Sequence, residues 1–150
     1  MDNFSTLVDL LIKDEVAGRP SHERVLHLGS TPSYLVEKAG FPNLELVVTG
    51  KVISKAAFDH GISTSLLKRL DQVINNPKEL YNSANIQMTD SVVVMTFEMK
   101  GSLPIIIPVR KERKIGRSGV FNTVTSVYGK EGPDPSSKWQ KQGLLIHDFT

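Results

Sequence analysis

The chain has 150 residues, of which 39% are hydrophobic and 23% charged, a composition typical of a globular protein with one domain. It contains no cysteine, which excludes disulfides, zinc–thiolate sites and thiol nucleophiles. No apolar run approaches the roughly 18 residues of a membrane span, and the N-terminus does not resemble a signal peptide, so we expect no membrane anchor. The formal net charge of +2 is unevenly distributed, because residues 1–99 carry −3 and residues 100–150 carry +5.

The first half of the chain is predicted to be mainly helical. Apolar residues recur at helical spacing over residues 1–17, which predicts an amphipathic helix. A short helix is predicted over residues 33–39, followed by a strand over 44–50. Residues 54–60 are predicted to form another short helix, and Ser63 to Ile74 a longer one with one apolar face.

The second half changes to the period of two that is typical of strands. Strands are predicted over residues 90–100, 103–112, 120–130 and 144–149, with a short helical turn near Trp139 before the last one. Helices followed by an antiparallel meander predict an α+β fold, with N-terminal helices packed on a small antiparallel β-sheet.

One predicted strand, FNTVTSVYGK at residues 121–130, is unusually polar. Simple alternation places hydrogen-bonding side chains on both of its faces: Asn122, Ser126 and Tyr128 on one, Thr123 and Thr125 on the other. Since a strand is normally held by an apolar face, we expect one face to line a cleft. The alternative is a half-exposed sheet face with cross-strand Thr and Tyr pairs.

The positive charge is concentrated in RKERKIGR, which precedes this strand. Its basic residues are Arg110, Lys111, Arg113, Lys114 and Arg117. Clusters of this kind attract the phosphates of nucleic acids. The alternative is a solvated hairpin tip whose charges protect an edge strand from aggregation.

His60 is the histidine most suggestive of chemistry. It ends a predicted helix, where the carbonyl dipoles favour a positive side chain, and Gly61 beside it permits the close approach of a ligand. The alternative is a histidine that caps the last carbonyls. Lys55, on the same segment, has Asp59 as its i+4 partner, and a solvated ion pair is the simpler interpretation. No histidine pair has metal-ligand spacing, although a magnesium site made of carboxylates stays open.

These residue types suit a ribonuclease that works without a metal. Such an enzyme needs a base for the 2′-hydroxyl, an acid for the leaving oxygen, and cations or hydroxyl donors for the phosphate. His, Tyr, Lys and Ser or Thr supply these groups.

Several segments together resemble a known family. The run from residue 26 to 63 is similar to a layout LG-x-TP-x-x-L…G, a strand, then I-x-K-A…H. In this sequence the layout corresponds to Leu28, Gly29, Thr31, Pro32, Leu35, Gly40, Ile53, Lys55, Ala56 and His60. The stretches NNPKELYNS, DSVVVMTFEMKGSLPIIIPVR and FNTVTSVYGK and the tail from Trp139 to Leu145 follow in the family's order. Over residues 26–147 the chain resembles the C-terminal nuclease domains of phage head-morphogenesis (MuF-type) proteins and polymorphic, contact-dependent inhibition toxins, of the barnase–EndoU–colicin–RelE (BECR) class.

The resemblance implies a BECR-like nuclease domain over residues 26–150, preceded by a helical entry segment over 1–25. It implies a metal-independent endoribonuclease that needs no cofactor and cleaves cellular RNA, with transfer RNA as the expected substrate. The implied partner is a cognate immunity protein. The implied setting is secretion or delivery as the C-terminal part of a larger protein that acts in the cytoplasm of a target cell.

The resemblance also implies a set of site residues. The catalytic candidates are His60, Ser126, Tyr128, Lys55, Thr125 and Asn122, and the RNA-binding candidates are Arg110, Lys111, Arg113, Lys114, Arg117 and Lys130. We expect His60 to act as general base or acid, Tyr128 or Ser126 as a donor to the phosphate, and Lys55 or Lys130 as the transition-state cation. Two other functions stay open: a non-catalytic RNA-binding or structural module, and a transferase such as an ADP-ribosyltransferase.

Overall fold

The computed structural model describes residues 3–85 and 87–150. In these residues there are six α-helices: α1 Phe4–Val16, α2 Ser33–Ala39, α3 Gly50–Ser54, α4 Thr64–Lys68, α5 Leu70–Val73 and α6 Pro135–Lys141. Helix α3 continues directly into a π-helical turn, Lys55–Asp59. The strands are β1 Val25–Ser30, β2 Glu45–Thr49, β3 Pro77–Asn82, β4 Ser91–Lys100, β5 Leu103–Ile115, β6 Gly119–Val124, β7 Tyr128–Gly129 and β8 Leu145–Asp148.

All eight strands belong to one sheet with the order β1-β2-β6-β5-β4-β3-β8, and β7 pairs with β5 beside β6. The β2–β6 pair is parallel and the other pairs are antiparallel. The predicted α+β fold, with N-terminal helices on a largely antiparallel sheet, is therefore confirmed. In the described part of the chain, no helix is long and apolar enough to cross a membrane.

The helices α1 to α5 cover one face of the sheet and form the main core with it. Phe4, Val8 and Leu11 of α1 lie in the same buried cluster as Ile105 and Ile107 of β5. Full burial of a side chain of this kind contributes about 1.5–3 kcal/mol. The described residues of the N-terminal helix are therefore part of the packed body.

The opposite face of the sheet has a smaller apolar cluster. Tyr81, Met95 and Ile106 project from the strands against Trp139 of α6. Because Ile106 lies between Ile105 and Ile107 on β5, alternation places these neighbours on opposite faces. In the described part of the chain, α1 to α5 thus lie on one face of the sheet and α6 lies on the other.

Two strands were not predicted. β1 has only Leu26 and Leu28 as buried inward residues, too short an alternation to stand out. β3 begins with Pro77 and buries a carboxylate, Glu79, which is a position that sequence patterns assign to the surface.

The predicted strand over residues 120–130 was wrong as a single element, because it is divided into β6 and β7. Val109 of β5 faces Val124, and Ile106 faces Tyr128. Between these two pairs β5 has two residues, 107 and 108, whereas the opposite segment has three, 125 to 127. This is a β-bulge. Its physical cause is Pro108: Thr125 N donates to the Pro108 carbonyl, but proline has no N–H to return the bond.

Candidate active site

A polar cleft of about 320 Å³ lies where the π-helical turn meets β7. Its lining residues are Asp59, His60, Lys100, Tyr128, Gly129, Lys130 and Glu131. In the described part of the chain β7 pairs only with β5, so the cleft lies at an open edge of the sheet. Three of the predicted site residues, His60, Tyr128 and Lys130, meet there.

His60 is placed by the end of the π-helical turn. Its backbone N–H donates to the Lys55 carbonyl at 2.9 Å, and Ile62 N donates to Ala56 O. Gly61 then takes a left-handed conformation with φ of 64° and ends the helical segment. The wider π-helical turn directs the imidazole towards β7, where its ring centroid lies 5.7 Å from that of Tyr128.

Tyr128 faces this cleft on the far side of the bulge. Its ring packs beside the cluster around Ile106 and Trp139. Burial raises the pKa of the Tyr128 phenol above its ordinary value of 10. The raised pKa keeps the phenol protonated near neutral pH. Among the residues the structure describes, no group hydrogen-bonds to its hydroxyl, which is therefore available to a ligand.

Lys100, at the end of β4, is a cleft residue that the sequence did not reveal. Its ammonium donates to the His60 carbonyl at 2.8 Å. The side chain runs between two glycines: a Cβ on Gly61 would lie 3.1 Å from Lys100 Nζ, and one on Gly129 would lie 3.3 Å from Lys100 Cβ. Both glycines therefore make room for a lysine that fixes His60 and brings a cation to the cleft.

Lys130 supplies a second cation. Its backbone N–H donates to the Pro104 carbonyl, which extends the pairing of β7 with β5. The exposed carboxylates of Asp59 and Glu131 lie at the rim. Two lysines facing two carboxylates leave the cleft with little net charge, so strong binding of a polyanion needs cations elsewhere.

The structure places Asn122 away from the cleft, in the interior. Its amide nitrogen donates to Thr31 Oγ1 at 2.7 Å and to the Pro42 carbonyl at 2.9 Å. Its oxygen accepts from Glu112 N at 3.1 Å. Glu112 has a positive φ of 54° and lies in a second bulge, between Arg110 and Arg113. Asn122 thus holds a bulge and two loop segments together.

Thr125, Ser126 and Lys55 do not line the cleft either. Thr125 and Ser126 are half-buried in the bulge, where the Thr125 hydroxyl donates to Pro108 O at 3.3 Å. Lys55 is exposed at the start of the π-helical turn, and among the described residues no ion pair joins it to Asp59.

The predicted basic run forms the β5–β6 hairpin. Arg110 donates to both oxygens of Asp90, and Arg113 lies 3.8 Å from the same carboxylate. Hydrogen bonds from Arg110, with the charges of both arginines, lower the pKa of Asp90. Within the described residues, Lys111, Lys114 and Arg117 have no acidic partner. The hairpin therefore presents three uncompensated cations.

The comparison with family models identifies where the chain belongs. The model of the phage MuF C-terminal domain matches residues 51–148, about two thirds of the chain. The chain is a member of the phage MuF C-terminal domain family. No curated protein and no solved structure matches it.

The match confirms the MuF-type part of the resemblance seen in the sequence. The matched range of this MuF C-terminal domain begins in α3 and ends in β8, so it includes every residue that lines the cleft. It also includes the basic hairpin. The cleft and the hairpin are thus parts of the family's domain, whereas α1, β1, α2 and β2 precede the matched range.

Proposed function

We propose that this MuF C-terminal domain is a metal-independent endoribonuclease of the BECR class, with its active site in the cleft between His60 and Tyr128. The observation that carries the proposal is the meeting, in one open cleft, of an imidazole, a phenol whose hydroxyl has no partner among the described residues, and two ammonium groups. These groups supply a base, an acid and cations for a phosphate without a bound metal.

The geometry suits proton transfers around a single phosphate. An acid and a base each need to be within about 2.6–3.2 Å of their own oxygen. Rings whose centroids are 5.7 Å apart can flank one phosphate and meet this requirement. The lysines at the same cleft would lie beside the non-bridging oxygens, where negative charge increases in the transition state.

The protonation of Tyr128 assigns the roles of the two rings. Because burial raises its pKa, Tyr128 keeps its proton near neutral pH and suits the donor role. His60 then accepts the 2′-hydroxyl proton, and the 2′-oxygen attacks the adjacent phosphorus. The bond from phosphorus to the 5′-oxygen breaks, Tyr128 protonates that oxygen, and a 2′,3′-cyclic phosphate remains on the other fragment. Proton exchange with water restores both groups.

The hairpin supplies the affinity that the cleft lacks. Counting residues along β5 at about 3.3 Å each, Ile115 at the tip is roughly 30 Å from Ile106 beside Tyr128. A mononucleotide cannot contact both places, whereas an extended or folded RNA can. This favours an RNA of several nucleotides as the substrate, and we propose that it is a transfer RNA.

The biological setting is part of the same proposal. A domain that cleaves transfer RNA would be toxic where it acts. We infer that it is delivered as part of a larger secreted or phage-encoded protein into the cytoplasm of a target cell, and that a cognate immunity protein blocks it.

The proposal is tested by incubating the purified chain with total cellular RNA in excess EDTA. The native chain should produce discrete fragments that end in 2′,3′-cyclic phosphate. His60→Ala should lower the cleavage rate at least about a hundredfold, as expected for loss of a general base. His147→Ala is the matched control, because this histidine lies in β8 against Phe149, outside the cleft.

Three outcomes would contradict parts of the proposal. Cleavage that disappears with EDTA removes the metal-independent mechanism. Equal cleavage by the native chain and His60→Ala makes His60 a helix cap. Intact RNA with both proteins, together with retained RNA binding, would favour a non-catalytic RNA-binding module.

A further inference from the structure

A second groove opens beside the cleft, between α6 and the sheet. Its volume is about 240 Å³, and its floor is apolar, made by Val93, Ile106 and Trp139. Tyr128 and Lys130 line both the cleft and this groove. A ligand that occupies the cleft can therefore extend into the groove without leaving the surface of the protein.

The rim of the groove is polar and available to a ligand. Gln142 and Lys138 project from α6 and its C-terminal end, and Lys130 faces them from the strand side. Within the described residues, the side chains of these three make no hydrogen bond or ion pair with the protein. An apolar floor with an amide and two cations at its rim matches a planar heterocycle that carries phosphates on either side.

The wall formed by α6 is held firmly in place. Glu79 of β3 accepts hydrogen bonds at 2.8 Å from the hydroxyls of Tyr81 and Ser136. Gln140 donates to the other Glu79 oxygen and to Ser136. Since these bonds clamp both turns of the helix to the sheet, the groove exists before a ligand enters it, and less entropy is lost on binding.

We propose that the groove is a nucleobase subsite of single-stranded RNA. It takes the base attached to the phosphate beside the one at His60 and Tyr128. The apolar floor contacts the face of the base, and the Gln142 amide hydrogen-bonds to its edge. Lys130 and Lys138 pair with the flanking phosphates. This inference rests on the proposed ribonuclease function and adds how that site selects a nucleotide.

The fluorescence of Trp139 reports occupancy of the groove directly, because Trp139 is the only tryptophan in the sequence. The probe is a tetranucleotide of 2′-deoxynucleotides, which lacks the attacking hydroxyl and cannot be cut by the proposed mechanism. Its addition should change the fluorescence of Trp139 with saturation. Ribose 5-phosphate, which has a phosphate but no base, should leave the fluorescence unchanged at the same concentrations.

Variants at the rim test the geometry. Gln142→Ala and Lys138→Ala should each weaken binding of the tetranucleotide about fivefold, because the first removes a hydrogen bond to the base edge and the second removes a cation beside a phosphate. Lys141→Ala is the matched control: this lysine is also exposed on α6 but lines neither the cleft nor the groove, and its variant should bind within twofold of the native chain. Circular dichroism should confirm that all variants are folded.

The outcomes separate the subsite from the ribonuclease. A fluorescence change that ribose 5-phosphate reproduces, or equal affinities for the native chain and Gln142→Ala, would overturn the base subsite. A chain that cleaves RNA without any Trp139 response would also overturn it and keep the ribonuclease. A chain that shows the saturable Trp139 response and the rim effects but leaves RNA intact would keep the subsite and remove the ribonuclease.

Discussion

The two halves of the stretch from residue 119 to 130 both carry polar side chains but have opposite roles. In β6, the polar side chain of Asn122 is fully buried, and all of its bonds go to the protein. After the bulge, Tyr128 and Lys130 face open clefts, and the Tyr128 hydroxyl has no partner among the described residues. The first half supports the fold, and the second half is free to contact a ligand.

The same contrast separates two tyrosines of the sheet. Burial raises the pKa of both Tyr81 and Tyr128. Tyr81, however, donates to Glu79 and lies against Ser136 and Gln140, so its hydroxyl belongs to a closed network. Tyr128 is only half-buried, and among the described residues its hydroxyl has no such partner. Within this domain, the polar group that lacks partners is the better guide to function than the polar group that is merely buried.

The largest effect is expected from Asn122→Ala. The change leaves the Pro42 carbonyl and the Glu112 N–H unsatisfied and opens a small cavity beneath the bulge. The free energy of unfolding should fall by about 2–4 kcal/mol. Denaturant unfolding measured by circular dichroism checks this value.

Thr125→Ala is the control for that variant. Thr125 is half-buried in the bulge and makes one long hydrogen bond, at 3.3 Å, so its loss should cost about 1 kcal/mol or less. If Asn122→Ala instead unfolds like the native chain yet loses RNA cleavage, Asn122 belongs to the active site and the division between the two halves is wrong.

The second-largest effect on the free energy of unfolding distinguishes Tyr81 from Tyr128. Tyr81→Phe removes a donor to Glu79 and should destabilise the protein by about 1–2 kcal/mol, with little change in the cleavage rate at temperatures where it is folded. Tyr128→Phe removes a hydroxyl that has no partner among the described residues, so the free energy of unfolding should change by about 0.5 kcal/mol or less. In the proposed mechanism its cleavage rate should fall at least about a hundredfold, because the leaving oxygen would lose its proton donor.

Thermal unfolding and a cleavage assay on the same preparations measure both properties. A Tyr128→Phe variant that cleaves RNA at the native rate would remove the phenol from the mechanism. A Tyr81→Phe variant that is as stable as the native chain would mean that the Glu79 network does not hold α6.

The sequence predicted the fold class because the helical and strand periods in it are long and regular. Helix α2 with Gly40 at its end, strand β2 that follows it, and the Ser63 cap of helix α4 obey local rules, and the structure agrees with them. It also predicted that His60, Tyr128 and Lys130 are candidates for one site. The sequence alone did not show which distant segments pair with each other in the sheet.

The bulge illustrates the missing information. Pro108 is visible in the sequence, but its effect on residues 125–127 depends on which strand lies beside β5. Lys100 was missed for the same reason. It is an ordinary lysine before a Gly101 turn until the sheet brings Gly129 against it and the end of the π-helical turn brings His60. Local patterns identify chemical groups, whereas their convergence depends on sheet register.

The smallest effect on stability, and a distinct effect on binding, is expected at the hairpin that leads into β6. Replacing Lys111, Lys114 and Arg117 together with alanine should leave the free energy of unfolding within about 0.5 kcal/mol, because these side chains have no acidic partner among the described residues. Since each phosphate contact with a single strand contributes about −0.7 to the slope of log K against log salt, the slope should flatten by about 2 units.

The slope is measured from the binding of a 2′-deoxy oligonucleotide at several salt concentrations. The control variant replaces three exposed cations elsewhere, Lys13, Arg19 and Lys38. The saturating cleavage rate should stay near the native value, because even Lys111, the nearest of the three, is five residues from Ile106 along β5, roughly 17 Å at about 3.3 Å per residue. An unchanged slope, or the same flattening in the control, would show that the first half of the stretch positions no RNA-binding surface and that its role ends with the fold.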